Sequence, residues 1–274
     1  MLICIPTYKR EENQKCYERM PDEIKRRVLL ATHSDEVENL KKANPEANVV
    51  DIGVTDGIAD VRQRILNYAK SQNEEKVFIM DDSCTFKKRV KMKLTEMGAQ
   101  DWEEMIERVS ERLDEYPMVG ISDQAGNNRV EKPELENQRS YSCYGINVEF
   151  FKENGIRFDA MYQEDNDIKF YEDFYVILKL LTSGFKNLVI YEYAFSHAHG
   201  KKGGNSVLRS NNTHKKSIDS LKTFFPKFVD VVKKENPSWK AGLNDEENFR
   251  WDVKISWKKA FEYGQSKVES VSLF

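Results

Sequence analysis

Asp81, Asp82 and Ser83 stand directly after the apolar run Val77-Phe78-Ile79-Met80, and that placement is the sharpest chemical feature of the chain. In an open α/β sheet, ligands gather beyond the carboxyl ends of strands, where adjacent carboxylates can meet a divalent cation and a polyphosphate. Mg²⁺ and Mn²⁺ take oxygen ligands and neutralise phosphate charge. On spacing alone, two Asp after a strand serve a turn or a helix cap equally well. A second group of acids is Glu164, Asp165, Asp167, Glu172 and Asp173. The last two stand where a helix begins, and acids there favour the helix dipole whatever else they do. His197 and His199 lie two apart and project to one side of an extended strand. Lys201 and Lys202 follow in a glycine-rich loop suited to folding over a phosphate. KKRVKMK at 87–93 holds five positive charges in seven residues, Lys87, Lys88, Arg89, Lys91 and Lys93. It reads either as a track for acceptor phosphates or as a solvated helix face.

The elements that must position these residues alternate. LICIP (2–6), RVLLAT (27–32), NVVDIG (48–53), KVFIMDD (76–82) and MVGIS (118–122) read as strands. Between them, 56–72 and 101–116 carry apolar residues at helical spacing. This alternation predicts an α/β fold with a mostly parallel sheet flanked by helices. After it, 141–151 reads as a strand, and a helix from Glu172-Asp173 closes at Gly184, where glycine suits a left-handed cap. NLVIYEYAFS (187–196) reads as another strand, 213–235 as a helix despite Pro226, and FRWDVKISW (249–257) as a half-buried strand.

The chain has 274 residues, 39% hydrophobic and 32% charged, with no apolar run approaching 18 residues, so a membrane-spanning chain is not expected. Its formal net charge of -3 leaves room for a local basic face without requiring a nucleic-acid partner. Cys4, Cys16, Cys84 and Cys143 lack metal-finger spacing, and MLICIPTYKR lacks the long apolar stretch of a signal peptide, so a reducing cytoplasm is the expected compartment. Cys4 and Cys143 lie in apolar segments as buried small hydrophobes.

IPTYKR (5–10), GIADVRQRIL (57–66), FIMDDS (78–83), EDFYVILKLLTSGF (172–185) and SHAHG (196–200) occur in the order of the corresponding parts of GT-A glycosyltransferases, which the chain resembles over about residues 1–205. Within that superfamily it is similar to the TET/JBP-associated glycosyltransferases of phages and eukaryotes, expected to glycosylate hydroxymethylated pyrimidines in DNA. The resemblance implies a GT-A-like, Rossmann-like catalytic domain at 1–205 and a helical and strand extension at 206–274 packed on it. It implies Mn²⁺ or Mg²⁺ as cofactor, a UDP-sugar as donor and modified DNA as partner. Pro6, Thr7, Tyr8 and Arg10 would line the nucleotide. Ile58 and Arg62 would sit on the helix that faces it, with the Arg62 guanidinium on the diphosphate or base. Asp81 would contact the nucleotide and Asp82 the metal, with Ser83 beside it and His197 or His199 completing the shell or touching the diphosphate. Lys201 and Lys202 would close over the diphosphate. Asp173 is the favoured base to deprotonate the acceptor hydroxyl in an inverting transfer, with Glu172 and the loop acids Glu164, Asp165 and Asp167 as the other candidates. A retaining transfer would not need that base.

Ser83 departs from the family pattern, since many members carry Asp there, which leaves the metal with a neutral hydroxyl in place of a carboxylate. Three other readings stand beside this one: a GT-A transferase acting on a polysaccharide, protein or small molecule, a catalytically degenerate binding module, and a carboxylate-based two-metal nuclease or phosphatase. Donor dependence separates them. No motif fixes the oligomeric state.

Overall fold

In the computed structural model, residues 1–125, 130–162, 168–197, 210–236 and 248–272 are described. Contacts group the chain into two units that are interleaved in sequence. The first comprises Met1–Val54, Arg64–Gly155 and Lys186–Lys201; the second comprises Thr55–Gln63, Ile156–Phe185 and Lys202–Phe274.

The first unit is built on one sheet. β1 (Leu2–Pro6), β2 (Val28–Thr32), β3 (Asn48–Asp51) and β4 (Lys76–Met80) are parallel neighbours in the order β3-β2-β1-β4. β5 (Cys84–Val90), β6 (Lys93–Glu96), β7 (Met118–Asp123), β8 (Glu134–Glu136), β9 (Cys143–Asn147) and β10 (Leu188–His197) complete it. Beyond β4 the order continues β9-β7-β10-β5-β6, with β8 paired to β10. β9 runs against both β4 and β7, β7 is parallel to β10, and β5 and β8 run against β10, so most strands of the sheet point one way and β5, β8 and β9 are reversed. The short helices α1 (Lys15–Glu18), α2 (Asp22–Lys25) and α3 (Val37–Ala43) fall among the first strands. α4 (Gly57–Ser71) runs between β3 and β4, and α5 (Ala99–Arg112) between β6 and β7.

Strand periodicity explains the core. Ile3 and Ile5 on β1, Phe78 and Met80 on β4, Val119 and Ile121 on β7, and Leu188 and Ile190 on β10 are alternate residues on one sheet face. They share a buried cluster with Trp102, Met105, Ile106 and Val109 of α5 and with Leu113 after it. These five recur at the spacing of one helix stripe. Each such side chain taken fully from water contributes about 1.5–3 kcal/mol. All four cysteines are buried and unbridged, and burial pushes their thiol pKa values up, which suits packing rather than nucleophilic work.

The strand expected at 141–151 is shorter than the sequence reading. β9 stops at Asn147, whose side-chain oxygen accepts from Phe150 N at 2.9 Å and so caps α6 (Val148–Glu153). The stretch 87–93, weighed above as a helix face, is a hairpin instead: β5 and β6 are joined by Lys91 and Met92, both at positive φ.

In the second unit, α7 (Glu172–Thr182), α8 (Asn211–Phe224) and α9 (Trp257–Ser272) accompany an antiparallel ribbon of β11 (Val229–Glu235) and β12 (Phe249–Ile255). The helix expected over 213–235 therefore ends before Pro226, and a strand follows. Proline removes a backbone donor and blocks the preceding turn, while Val229, Val231 and Val232 pair with β12. Gly184, at φ +88, follows the last turn of α7 as expected, with its N–H on Leu181 O at 3.0 Å. α7 packs closely on α9 there, because Gly264 faces the backbone of Leu181 and Gly184 with no room for a Cβ. Among the described residues no helix is long and apolar enough to cross a membrane.

Gly264→Ala must push backbone apart, so it is expected to cost about 2 kcal/mol and to lower the thermal midpoint by about 4–8 °C. A melting curve checks this.

Candidate active site

In the first unit, the loop after β1 is held in place from several sides. Thr7 N donates to Ala31 O at 2.9 Å, and Gln14 Nε2 donates to Thr7 Oγ1 at 2.6 Å and to Arg10 O at 2.8 Å. Lys9 turns through positive φ (52°) and its N–H reaches Glu36 Oε2 at 2.6 Å. Tyr8 stacks on His33, which follows β2, with ring centroids 4.3 Å apart. This fold of the loop delivers Arg10 to the end of β4, where its guanidinium bonds the Asp82 carboxylate.

Asp82 is buried, and burial pushes its carboxyl up to about 6 against the pull of Arg10, with neighbouring Asp81 pushing the same way as burial. Asp81 is half-buried and its N–H donates to Ser142 O at 2.8 Å. Ser83 Oγ lies 2.9 Å from His197 Nδ1, because His197 sits opposite Cys84 in the β5–β10 register. The structure thus brings Pro6, Thr7, Tyr8, Arg10, Asp81, Asp82, Ser83 and His197 to neighbouring strand ends of one sheet. His199, Lys201 and Lys202, like Glu164, Asp165 and Asp167, lie outside the described residues.

Two further groups join this neighbourhood. Asp123 ends β7 and accepts from the Tyr141 hydroxyl and from Ala125 N. The guanidinium of Arg139 lies 4.2 Å from the centroid of the Tyr141 ring, whose centroid is 6.3 Å from that of His197. Sequence reasoning passed over Asp123, although it ends an apolar strand as Asp81 does. Tyr141, Arg139 and His33 carried no such signal.

The basic stretch is largely engaged within the sheet unit. Lys87 pairs with Glu96 at 2.7 Å, and Lys88 with Asp101 and Glu104 at 2.9 and 2.7 Å. The hydrogen bonds that Lys88 donates to Glu104 and Asp101 raise its pKa above its ordinary value. Arg89 Nε donates to Tyr191 O at 2.9 Å, and burial lowers its pKa. Lys91 and Lys93 are exposed at the hairpin.

In the second unit, Gly57 opens α4 at φ +82, with Ile58 half-buried after it. Arg62 is buried, and its Nη1 bonds Oε1 of Glu172, itself buried at the start of α7. The guanidinium read from sequence as a ligand of the diphosphate or nucleotide base is here the partner of one of the two candidate catalytic acids at the start of α7. Asp173, the other, is half-buried and its Oδ1 accepts from Phe174 N at 2.9 Å. Tyr162 is buried nearby, and burial first, then the Glu172 charge, pushes its hydroxyl pKa up. Lys169 pairs with Asp56 at 2.6 Å.

Among the described residues no three His, Cys, Asp or Glu side chains form a preformed metal cage. A hard cation at a polyphosphate site takes one or two carboxylates and fills its shell with phosphate oxygens and water. Of the shell read from sequence, Asp82, Ser83 and His197 are described, and their carboxylate, hydroxyl and imidazole groups are donors of the kind Mg²⁺ or Mn²⁺ takes.

Compared with known proteins, the chain matches the TET-Associated Glycosyltransferase family over residues 1–204. It is 22% identical over 242 residues to the Beta-glucosyl-HMC-alpha-glucosyl-transferase of Enterobacteria phage T6, covering 81% of this chain and 80% of that one. S. aureus TarS aligns with 14% identity and a TM-score of 0.50, over 81% of this chain and 38% of that chain. TarS 1–349 in complex with UDP-GlcNAc aligns with 14% identity and a TM-score of 0.48, over 80% of this chain and 66% of that one. The chain therefore spans less than two thirds of the TarS chains it aligns with. The mostly parallel sheet and its helices have the α/β fold of the GT-A glycosyltransferases. Within that class the chain belongs to the TET-associated glycosyltransferase family.

Two outcomes follow from the buried charges. Arg62→Met leaves Glu172 buried without its cation and is expected to cost about 3–5 kcal/mol, much of it recovered in Arg62→Met/Glu172→Leu. Denaturant unfolding of the single and double variants checks this. Asp82 holds its proton more tightly folded than unfolded, so the stability this gives is fully present below 3.8 and is lost as pH rises through about 6. Relative to Asp82→Asn, the protein should lose about 2 kcal/mol between pH 4 and 7, read from unfolding at each pH.

Proposed function

We propose that the protein transfers a sugar from a nucleoside-diphosphate sugar, UDP-linked, to a hydroxyl of a 5-hydroxymethylated pyrimidine in DNA. The observation that carries this reading is the family match over residues 1–204, on a chain whose β4 is followed directly by Asp81-Asp82-Ser83. Pro6, Thr7, Tyr8 and Arg10 are the proposed nucleotide wall, with Ile58 and Arg62 assigned to donor binding by the family order. Asp81 is assigned to the nucleotide. Mn²⁺ or Mg²⁺ is the proposed cofactor, held by Asp82 with His197, and when bound it would neutralise the diphosphate leaving group.

The acceptor oxygen attacks the anomeric carbon as the bond to the diphosphate breaks, and the hydroxyl proton passes to a carboxylate. Asp173 is the proposed base. The Glu172 carboxylate is buried against Arg62, whereas Asp173 is half-buried, which favours Asp173 for contact with an acceptor. The 5-substituent of a pyrimidine already projects into the major groove, so approach there distorts DNA less than flipping the base. Lys91 and Lys93 are the exposed members of the proposed phosphate track. The phage T6 relative also supports cytoplasmic action, in the host cell for a phage-encoded chain. Similarity to the phage T6 Beta-glucosyl-HMC-alpha-glucosyl-transferase favours a second acceptor form in which the pyrimidine already bears a sugar.

The test is UDP release by purified protein with Mn²⁺, a panel of UDP-sugars, and DNA carrying cytosine, hydroxymethylcytosine or its glucosylated form. Release that rises only with a modified DNA is expected, and the arm that stimulates it names the acceptor. Absence of release from every donor in every arm contradicts the transferase reading.

A further inference from the structure

The residue just before the Glu172-Asp173 pair is held in an uncommon conformation. Tyr171 caps α7 at φ 72 and ψ 17, in the left-handed region that side chains other than glycine, asparagine and aspartate rarely adopt. Such a residue persists where its surroundings over-determine it, and here they do so through α8. The Tyr171 hydroxyl lies 3.2 Å from Nε2 of His214, and Nδ1 of the same ring lies 3.1 Å from Trp251 O on β12. A carbonyl can only accept, so Nδ1 carries the proton. In the neutral ring Nε2 is then the acceptor, and the Tyr171 hydroxyl donates to it.

His214 is buried, with its ring 5.2 Å from that of Tyr171 and 5.8 Å from that of Phe170. One turn along α8, buried Ser217 accepts from Lys169 N at 3.1 Å and donates to Thr213 O at 2.9 Å. Asn211 Nδ2 ties the start of α8 to Phe249 O at 3.1 Å. A continuous run of hydrogen bonds thus leads from the β12 backbone through α8 to residues 169–171. The next two residues are the carboxylates.

We propose that His214 and Tyr171 are positioning residues that fix the first turn of α7 and so hold the Asp173 carboxylate for proton transfer. This rests on Asp173 as the base. It assigns the segment after residue 210 a part in the reaction beyond stabilising the fold.

The experiment uses the full chain with Tyr171→Phe, His214→Ala and His214→Gln, the last keeping an acceptor near the Nε2 position. Amide hydrogen exchange over 172–175 is compared with the rest of the protein, and UDP release gives kcat and KM. Tyr171→Phe and His214→Ala should speed exchange in that turn while distant strands keep their protection. In both, kcat should fall about 10-fold or more with donor KM within about twofold, and His214→Gln should recover part of the loss. Unchanged exchange at 172–175 in Tyr171→Phe overturns the clamp, whether or not turnover is seen. Local loosening with wild-type kcat overturns its link to the reaction. Asp173→Asn separates the two claims: retained turnover there removes the base assignment, while the exchange data still decide the clamp.

Discussion

A carboxylate taken out of water needs a cation beside it, and that constraint shapes both units. At the end of β4 the buried Asp82 meets Arg10. At the start of α7 the buried Glu172 meets Arg62. Removing one partner from such a pair costs about 3–5 kcal/mol, more than the 1–2 kcal/mol of a residue held in left-handed backbone. The loop after β1 accordingly accepts positive φ at Lys9 and the ties of Gln14, because those features carry Arg10 to its carboxylate. The same balance sets the acid–base character of the β4 end, where burial outweighs Arg10 and leaves Asp82 titrating near 6.

What the sequence made legible was the set of features governed by local pattern. β1 to β4 and β7 are short apolar runs that end in polar residues, and their alternation with α4 and α5 was enough for the α/β class. The stop of α7 at Gly184 could be read because a left-handed cap favours that one residue type. Asp81 and Asp82 stood out because the carboxyl end of a strand is a place where chemistry happens, whatever the strand's neighbours are. The family resemblance supplied the rest of the candidate site, and the match over 1–204 bears out the family.

What stayed hidden depends on partners distant in sequence. The 87–93 stretch has no apolar alternation, and its strand character comes from the left-handed turn at Lys91-Met92 and from pairing with β10. Its charge suggested an acceptor track, but Glu96, Asp101 and Glu104 claim Lys87 and Lys88. β11 follows Pro226 with two consecutive valines that suit helix or strand alike, and pairing with β12 decides. Arg62 and Glu172 are 110 residues apart, so no spacing rule could join them. The same holds for Asp123 with Tyr141, and for His214 with Tyr171, where the relevant signal is a backbone conformation that only the folded chain displays.

The central claim is that the acidic end of β4 binds the nucleoside-diphosphate part of a sugar donor. Titrating UDP into the wild type and into Asp82→Ala by calorimetry, with and without Mn²⁺, tests it most directly. The account predicts binding by the wild type that strengthens with Mn²⁺, and loss of that gain in Asp82→Ala while its circular dichroism is unchanged. Equal, metal-insensitive binding by both proteins, or no binding by the wild type, would contradict it.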